Sequence, residues 1–178
     1  MKKVNVYIET TVRGPKVKPG AYMYLIEYIK ADGTPATRVA VCYLTANENQ
    51  MVLEALVRAS ERVRKPAQVR VFTRCGHVLG AVRNHWPEQW RENGWKNAKG
   101  AEVKNAKLWE RLLYGVEPHT FTATEEDHSY RDWMIFHLDK KLKEKQSEDK
   151  REDPSGNGYH YNREDRGGRQ MEENEKAL

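Results

Sequence analysis

Only two cysteines occur in 178 residues, Cys42 and Cys75. Their spacing makes neither a metal knuckle nor a disulfide framework, so structural zinc and an oxidising compartment do not organise this chain. Each falls in or beside a predicted strand, where a free thiol packs as a small hydrophobe. No apolar run is long enough to span a membrane, and MKKVNVYIET holds none of signal-peptide length. A cytoplasmic protein with no membrane partner is therefore expected. No internal repeat is present. Aliphatic residues nearly vanish over 146–178, which has no apolar periodicity. That segment is read as a disordered polar tail behind one folded domain at 1–145.

Charge divides along the same boundary. The chain carries +5, but the tail holds six Lys/Arg against nine Asp/Glu, so residues 1–145 carry +8. A basic domain has an anionic partner as its first expectation.

Residues 3–9 alternate, with Val4, Val6 and Ile8 on one face and Asn5, Tyr7 and Glu9 on the other. Gly14-Pro15 and Pro19-Gly20 bound a loop. Strands are predicted at 21–30 and 37–44, joined by a turn at Ala31-Asp32-Gly33-Thr34. The first three strands then form an antiparallel meander. Thr45 or Asn47 caps a helix whose apolar stripe is Met51, Leu53, Ala55, Leu56, Ala59 and Val63, and Lys65-Pro66 ends it. A fourth strand at 68–73 joins the sheet in parallel, as a strand after a crossover helix does. Helices follow at 76–85 and 106–114, with Pro87 fitting the start of a turn or helix between them, then a strand at 119–124. A last helix, 129–145, is expected to bury Trp133, Phe136 and Leu138 or their neighbours. The order βββαβαααβα describes a mixed α/β domain with a five-stranded central sheet flanked by helices.

Four of the five tryptophans, Trp86, Trp90, Trp95 and Trp109, lie within residues 86–112, interleaved with Arg91, Lys96, Lys99, Lys104, Lys107 and Arg111. Cations and flat apolar rings together suit a sugar-phosphate backbone. A pair of amphipathic helices with tryptophans inside and lysines in water fits the same composition.

The element order and this stretch together resemble bacterial ribonuclease H of type I over about residues 3–143. Trp86, Trp90, Trp95 and Trp109 each match a tryptophan of that family's basic handle, and GWK…VKNAKLWERL is similar to its sequence. Asn49 matches one of two paired asparagines that touch nucleic acid, with Glu48 at its partner's position. Tyr22 matches an aromatic of the second strand. The resemblance implies a ribonuclease H-like fold with a basic helical handle. It also implies metal-assisted hydrolysis of the RNA strand of an RNA–DNA hybrid, with Mg²⁺ or Mn²⁺ held by four carboxylates. Nucleic-acid contacts are then expected from Asn49, Trp86, Trp90, Trp95, Lys96, Lys99, Lys104 and Lys107.

The four carboxylate positions carry over unequally. The first is Glu9, in Glu9-Thr10-Thr11. The second falls on Val52 and the third on Arg74. The fourth matches Asp132, so the metal candidates are Glu9 and Asp132. The family's loop histidine matches His128, and Glu48 lies one helical turn before Val52. An arginine about 5 Å from a divalent ion is repelled by about 7 kcal/mol at an effective dielectric near 20. The expected fate of the centre is a Glu9–Arg74 salt bridge.

The reading is a monomeric nucleic-acid-binding module for RNA–DNA hybrid or another duplex, with a degenerate metal site. One rival is an active hydrolase using Glu9, Glu48, Asp132 and His128 with Mg²⁺ or Mn²⁺. A second is a protein-interaction scaffold.

Overall fold

A computed structural model of the chain describes residues 1–153. Ten elements follow the expected order: β1 (Lys2–Thr10), β2 (Lys18–Ile29), β3 (Pro35–Ala46), α1 (Glu48–Ser60), β4 (Ala67–Phe72), α2 (Gly76–Arg83), α3 (Trp86–Glu92), α4 (Ala106–Val116), β5 (Thr120–Thr124) and α5 (Arg131–Glu152). The sheet order is β3-β2-β1-β4-β5. β1, β2 and β3 form the antiparallel meander, whereas β1–β4 and β4–β5 pair in parallel. Of the two possible caps for α1, the chain uses Asn47, whose Oδ1 accepts from the Gln50 amide at 3.0 Å.

Both faces of the sheet are covered. Val4, Val6 and Ile8 of β1 meet α1, α2 and α4 in the larger core. The opposite face carries Tyr7, Met23, Leu25 and Phe72 against Met134 and Leu138 of α5. The face of β1 expected to be half polar is therefore interior too. Its polar tips stay satisfied: Tyr7 Oη donates to Glu27 at 2.7 Å, and Tyr130 Oη donates to the other Glu27 oxygen at 3.1 Å.

Two expectations about the last helix change. Met134 and Leu138, with Arg131, form the buried stripe, while Phe136 is 64% exposed and Trp133 only partly buried. Spacing by three and four from Arg131 selects that stripe, and a polar first member hid it from a search for apolar periodicity. The helix also runs to Glu152, past the boundary drawn at 145. Ion pairs one turn apart, Lys140–Glu144 and Lys145–Asp149, suit a charged helix standing in water. Residues 154–178, the remainder of the expected tail, lie outside the described residues.

Candidate functional site

β1 delivers Glu9 to the end of the sheet where α1 and α5 begin. The carboxylate is 2% exposed and surrounded by cations. Arg131 Nε donates to Oε1 at 3.1 Å, and Arg13 Nη2 donates to Oε2 at 3.0 Å. His128 Nε2 lies 3.7 Å from Oε1, beyond hydrogen-bond length, and both of its ring nitrogens are buried without a hydrogen-bond partner.

Each guanidinium bridges to a second carboxylate. Arg13 Nη1 donates to Glu48 Oε1 at 3.2 Å, and Arg131 Nη1 donates to Asp127 Oδ1. Glu48 in turn fixes the β1–β2 loop. Its Oε2 accepts from the Gly14 amide at 2.8 Å, while its own amide donates to the Gly14 carbonyl at 3.2 Å. Gly14 has φ +77°, a conformation that favours glycine. The His128 side chain is buried against Tyr7, ring centroids 4.5 Å apart, and edge-on to Phe72 at 5.9 Å.

Burial alone would raise the Glu9 pKa. The His128, Arg131 and Arg13 contacts outweigh burial and hold it below its ordinary value of 4.5. A depressed carboxylate stabilises the fold fully above the unfolded value and loses that contribution as pH falls through the folded one. Urea denaturation from pH 7 to pH 3 is expected to show falling stability below about 4.5, with a shallower fall in Glu9→Gln. Equal pH profiles for the two proteins would show that Glu9 does not govern acid sensitivity.

The sequence-derived candidates are distributed as follows. Glu9, Glu48 and His128 come together. Asp132 does not join them: it is exposed on α5, and its neighbour Arg131 faces Glu9 instead. Glu9 also does not pair with Arg74. The β1–β4 register, which sets Tyr7 beside Phe72, places Arg74 opposite Glu9 when extended by two residues. Yet Arg74 is exposed, and Arg13 and Arg131 hold the carboxylate. Register fixes strand neighbours, whereas the buried carboxylate takes partners from the loop and helix that close over it. Val52 is 1% exposed within the α1 face of the core. Arg13 and Arg131 are the site residues that sequence reasoning missed. Glu9 ends a strand and Arg13 lies in the loop after it, where spacing by four sets no contact, so the sequence carried no signal for the pair.

Asn49 Oδ1 accepts from the Cys75 thiol at 3.2 Å. Burial pushes that thiol's pKa up, which suits packing and not nucleophilic chemistry. Within residues 86–112, Trp109 is 1% exposed, and Trp86, Trp90 and Trp95 pack partly buried against the core. Trp90 meets Trp109 edge-on, centroids 5.6 Å apart, and Trp86 lies 6.0 Å from Trp90. Lys96, Lys99, Lys104 and Lys107 are exposed. A short turn carries the first two: Asn97 and Ala101 are joined by an amide-to-carbonyl bond of 2.8 Å, and Val103 donates to the Trp95 carbonyl at 2.9 Å. Rings turned inward and cations outward are the arrangement of amphipathic helices with tryptophans inside and lysines in water. Among the described residues no helix is long and apolar enough to cross a membrane.

Comparison with known proteins agrees with this architecture. A family model described as RNase H matches residues 1–125. The ribonuclease H of Lachnoclostridium phytofermentans is 33% identical over 121 residues, spanning 67% of this chain and 77% of that protein. That of Clostridium botulinum is 30% identical over 122 residues, spanning 67% and 79%. Among solved structures, a type 1 RNase H with the type 2 active-site motif superposes with a TM-score of 0.63 at 19% identity, covering 81% of this chain and 74% of that one. A foamy viral protease-reverse transcriptase in complex with RNA/DNA hybrid superposes with a TM-score of 0.55 at 18% identity, covering 78% of this chain and 19% of that one.

Proposed function

Since the chain belongs to the ribonuclease H family, we propose that it is a nucleic-acid-binding module for RNA–DNA hybrid or another duplex, with weak or absent metal-dependent hydrolysis. The observation that carries this reading is the double guanidinium clamp on Glu9. A carboxylate whose two oxygens already accept from Arg13 and Arg131 is a poor ligand for a divalent ion.

The other positions point the same way. Active members use Mg²⁺ or Mn²⁺, which require a converging set of oxygen donors. Here Val52 offers only aliphatic surface, Arg74 brings positive charge, and Asp132 stands in water on the outer side of α5. Among the described residues, no three or more His, Cys, Asp or Glu side chains converge as metal ligands would. The residues present do not fit the family's two-ion centre. The handle, by contrast, keeps its packed tryptophan rings and its exposed lysines. A cytoplasmic monomer is part of the same reading.

The identity to proteins named ribonuclease H favours a second reading, an active hydrolase using Glu9, Glu48, Asp132 and His128. One experiment separates the two. A labelled RNA–DNA hybrid is incubated with protein and Mg²⁺ or Mn²⁺, while binding is followed by fluorescence anisotropy. The expected result is salt-dependent binding without cleavage above that of Glu9→Gln. Cleavage by the wild type that Glu9→Gln abolishes would establish the hydrolase. Absence of binding to any duplex at low salt would remove the nucleic-acid reading.

A further inference from the structure

The clamp on Glu9 leaves an imbalance at the mouth of the site. Arg13 is shared by Glu9 and Glu48, and Arg131 by Glu9 and Asp127, so these three carboxylates and two guanidiniums together carry −1. Lys16 and Arg74 are exposed, and among the described residues neither is ion-paired. Arg13, Lys16 and Arg74 frame one end of the sheet. Arg13 and Lys16 stand on the β1–β2 loop, and Arg74 lies where the β4 register continues beside Glu9.

The loop is held in place. Reciprocal bonds between Gly14 and Glu48 tie it to the first turn of α1, so its cations are presented on a fixed backbone. The Arg13 side chain is about half exposed and commits one terminal nitrogen to each of two carboxylates. A guanidinium carries five N–H donors in a planar fork, so donors remain for an incoming oxyanion. Lys16 and Arg74 turn that balance to +1, and with the half-exposed Arg13 they put positive charge on the outer surface, which attracts a phosphate and repels a divalent cation.

We propose that Arg13, Lys16 and Arg74 form a phosphodiester-binding patch that holds a nucleic-acid backbone at the mouth beside Glu9 without a divalent ion. This rests on the nucleic-acid-binding reading above and adds a second contact region, separate from the handle. Arg131 is a positioning residue: it neutralises Glu9 from inside and leaves Arg13 to reach outward.

The test is anisotropy of a labelled RNA–DNA hybrid across a salt series, using the full chain in EDTA and in millimolar Mg²⁺. Wild type is expected to bind in EDTA, and Mg²⁺ to weaken binding as a competing counterion. Arg74→Gln and Arg13→Gln are each expected to reduce the slope of log K against log salt by about 0.7–1, and affinity about three- to tenfold. Arg74→Gln removes no contact to Glu9, so its result stands even if Arg13→Gln is less stable. A thermal melt of each variant checks folding. Binding that requires Mg²⁺, or slopes unchanged in Arg74→Gln and in folded Arg13→Gln, overturns the patch while leaving the handle as a binding surface. Loss of all wild-type binding overturns the nucleic-acid reading itself.

Discussion

Arg131→Met is expected to lower folding stability by about 3–5 kcal/mol, read as a fall in the urea midpoint at constant slope. The arginine is 6% exposed and meets Glu9 on one side and Asp127 on the other. Removing it leaves a 2% exposed carboxylate with Arg13 as its sole guanidinium donor. A buried charge stripped of a partner loses more than the pair itself contributed, because desolvation is no longer offset. The Glu9→Leu, Arg131→Met double variant is therefore expected to recover much of the loss. Arg13 is half exposed and can turn its freed donor to water. The cycle of two singles and one double isolates the coupling. A single-variant loss below about 1 kcal/mol would show that the clamp is not structural.

Trp109→Ala is expected to be comparably damaging, at about 3–5 kcal/mol, because a fully enclosed indole leaves a cavity its neighbours cannot fill. Trp109 is 1% exposed and stands where α4 meets the core, edge-on to Trp90 and 6.2 Å from the His77 ring. Its Nε1 is buried without a hydrogen-bond partner. Trp109→Phe removes that unpaired donor and keeps an aromatic ring, so its loss should be markedly smaller. Urea denaturation of both variants measures the difference. The alanine variant should also lose near-ultraviolet circular dichroism from the Trp86–Trp90–Trp109 cluster. Equal losses for phenylalanine and alanine would mean that packing around the ring matters less than its bulk implies.

The elements that hydrophobic period defines were readable from sequence. The meander, the Asn47-capped helix, the parallel fourth strand and the three-helix segment before β5 all occur in the expected order. Strand register was also nearly accessible, since extending it puts Arg74 across from Glu9. The partner of Glu9 was not. Arg131 opens α5, and a charged residue at a helix start normally reads as a solvated end. Its burial depends on the rotation of α5 about its own axis, which Met134 and Leu138 set. The same rotation puts Asp132 in water and exposes Phe136. Amphipathic patterning gives that rotation only weakly when one member of the inner stripe is an arginine. The length of α5 was missed for a related reason. A run dense in both signs of charge resembles a disordered segment until its one-turn spacing is checked.

The clamp on Glu9 also acts as a ratchet on sequence change. A carboxylate placed at position 52 alone would sit in a core site where valine is 1% exposed, with nothing there to offset its charge. Removing Arg131 first strands Glu9. Replacing Arg74 alone leaves both guanidinium bonds to Glu9 intact. Every single step toward a four-carboxylate arrangement either destabilises the fold or changes nothing at Glu9. Position 74 is therefore free to change, whereas a carboxylate at position 52 or the loss of Arg131 is tolerated only if the charges around it change too.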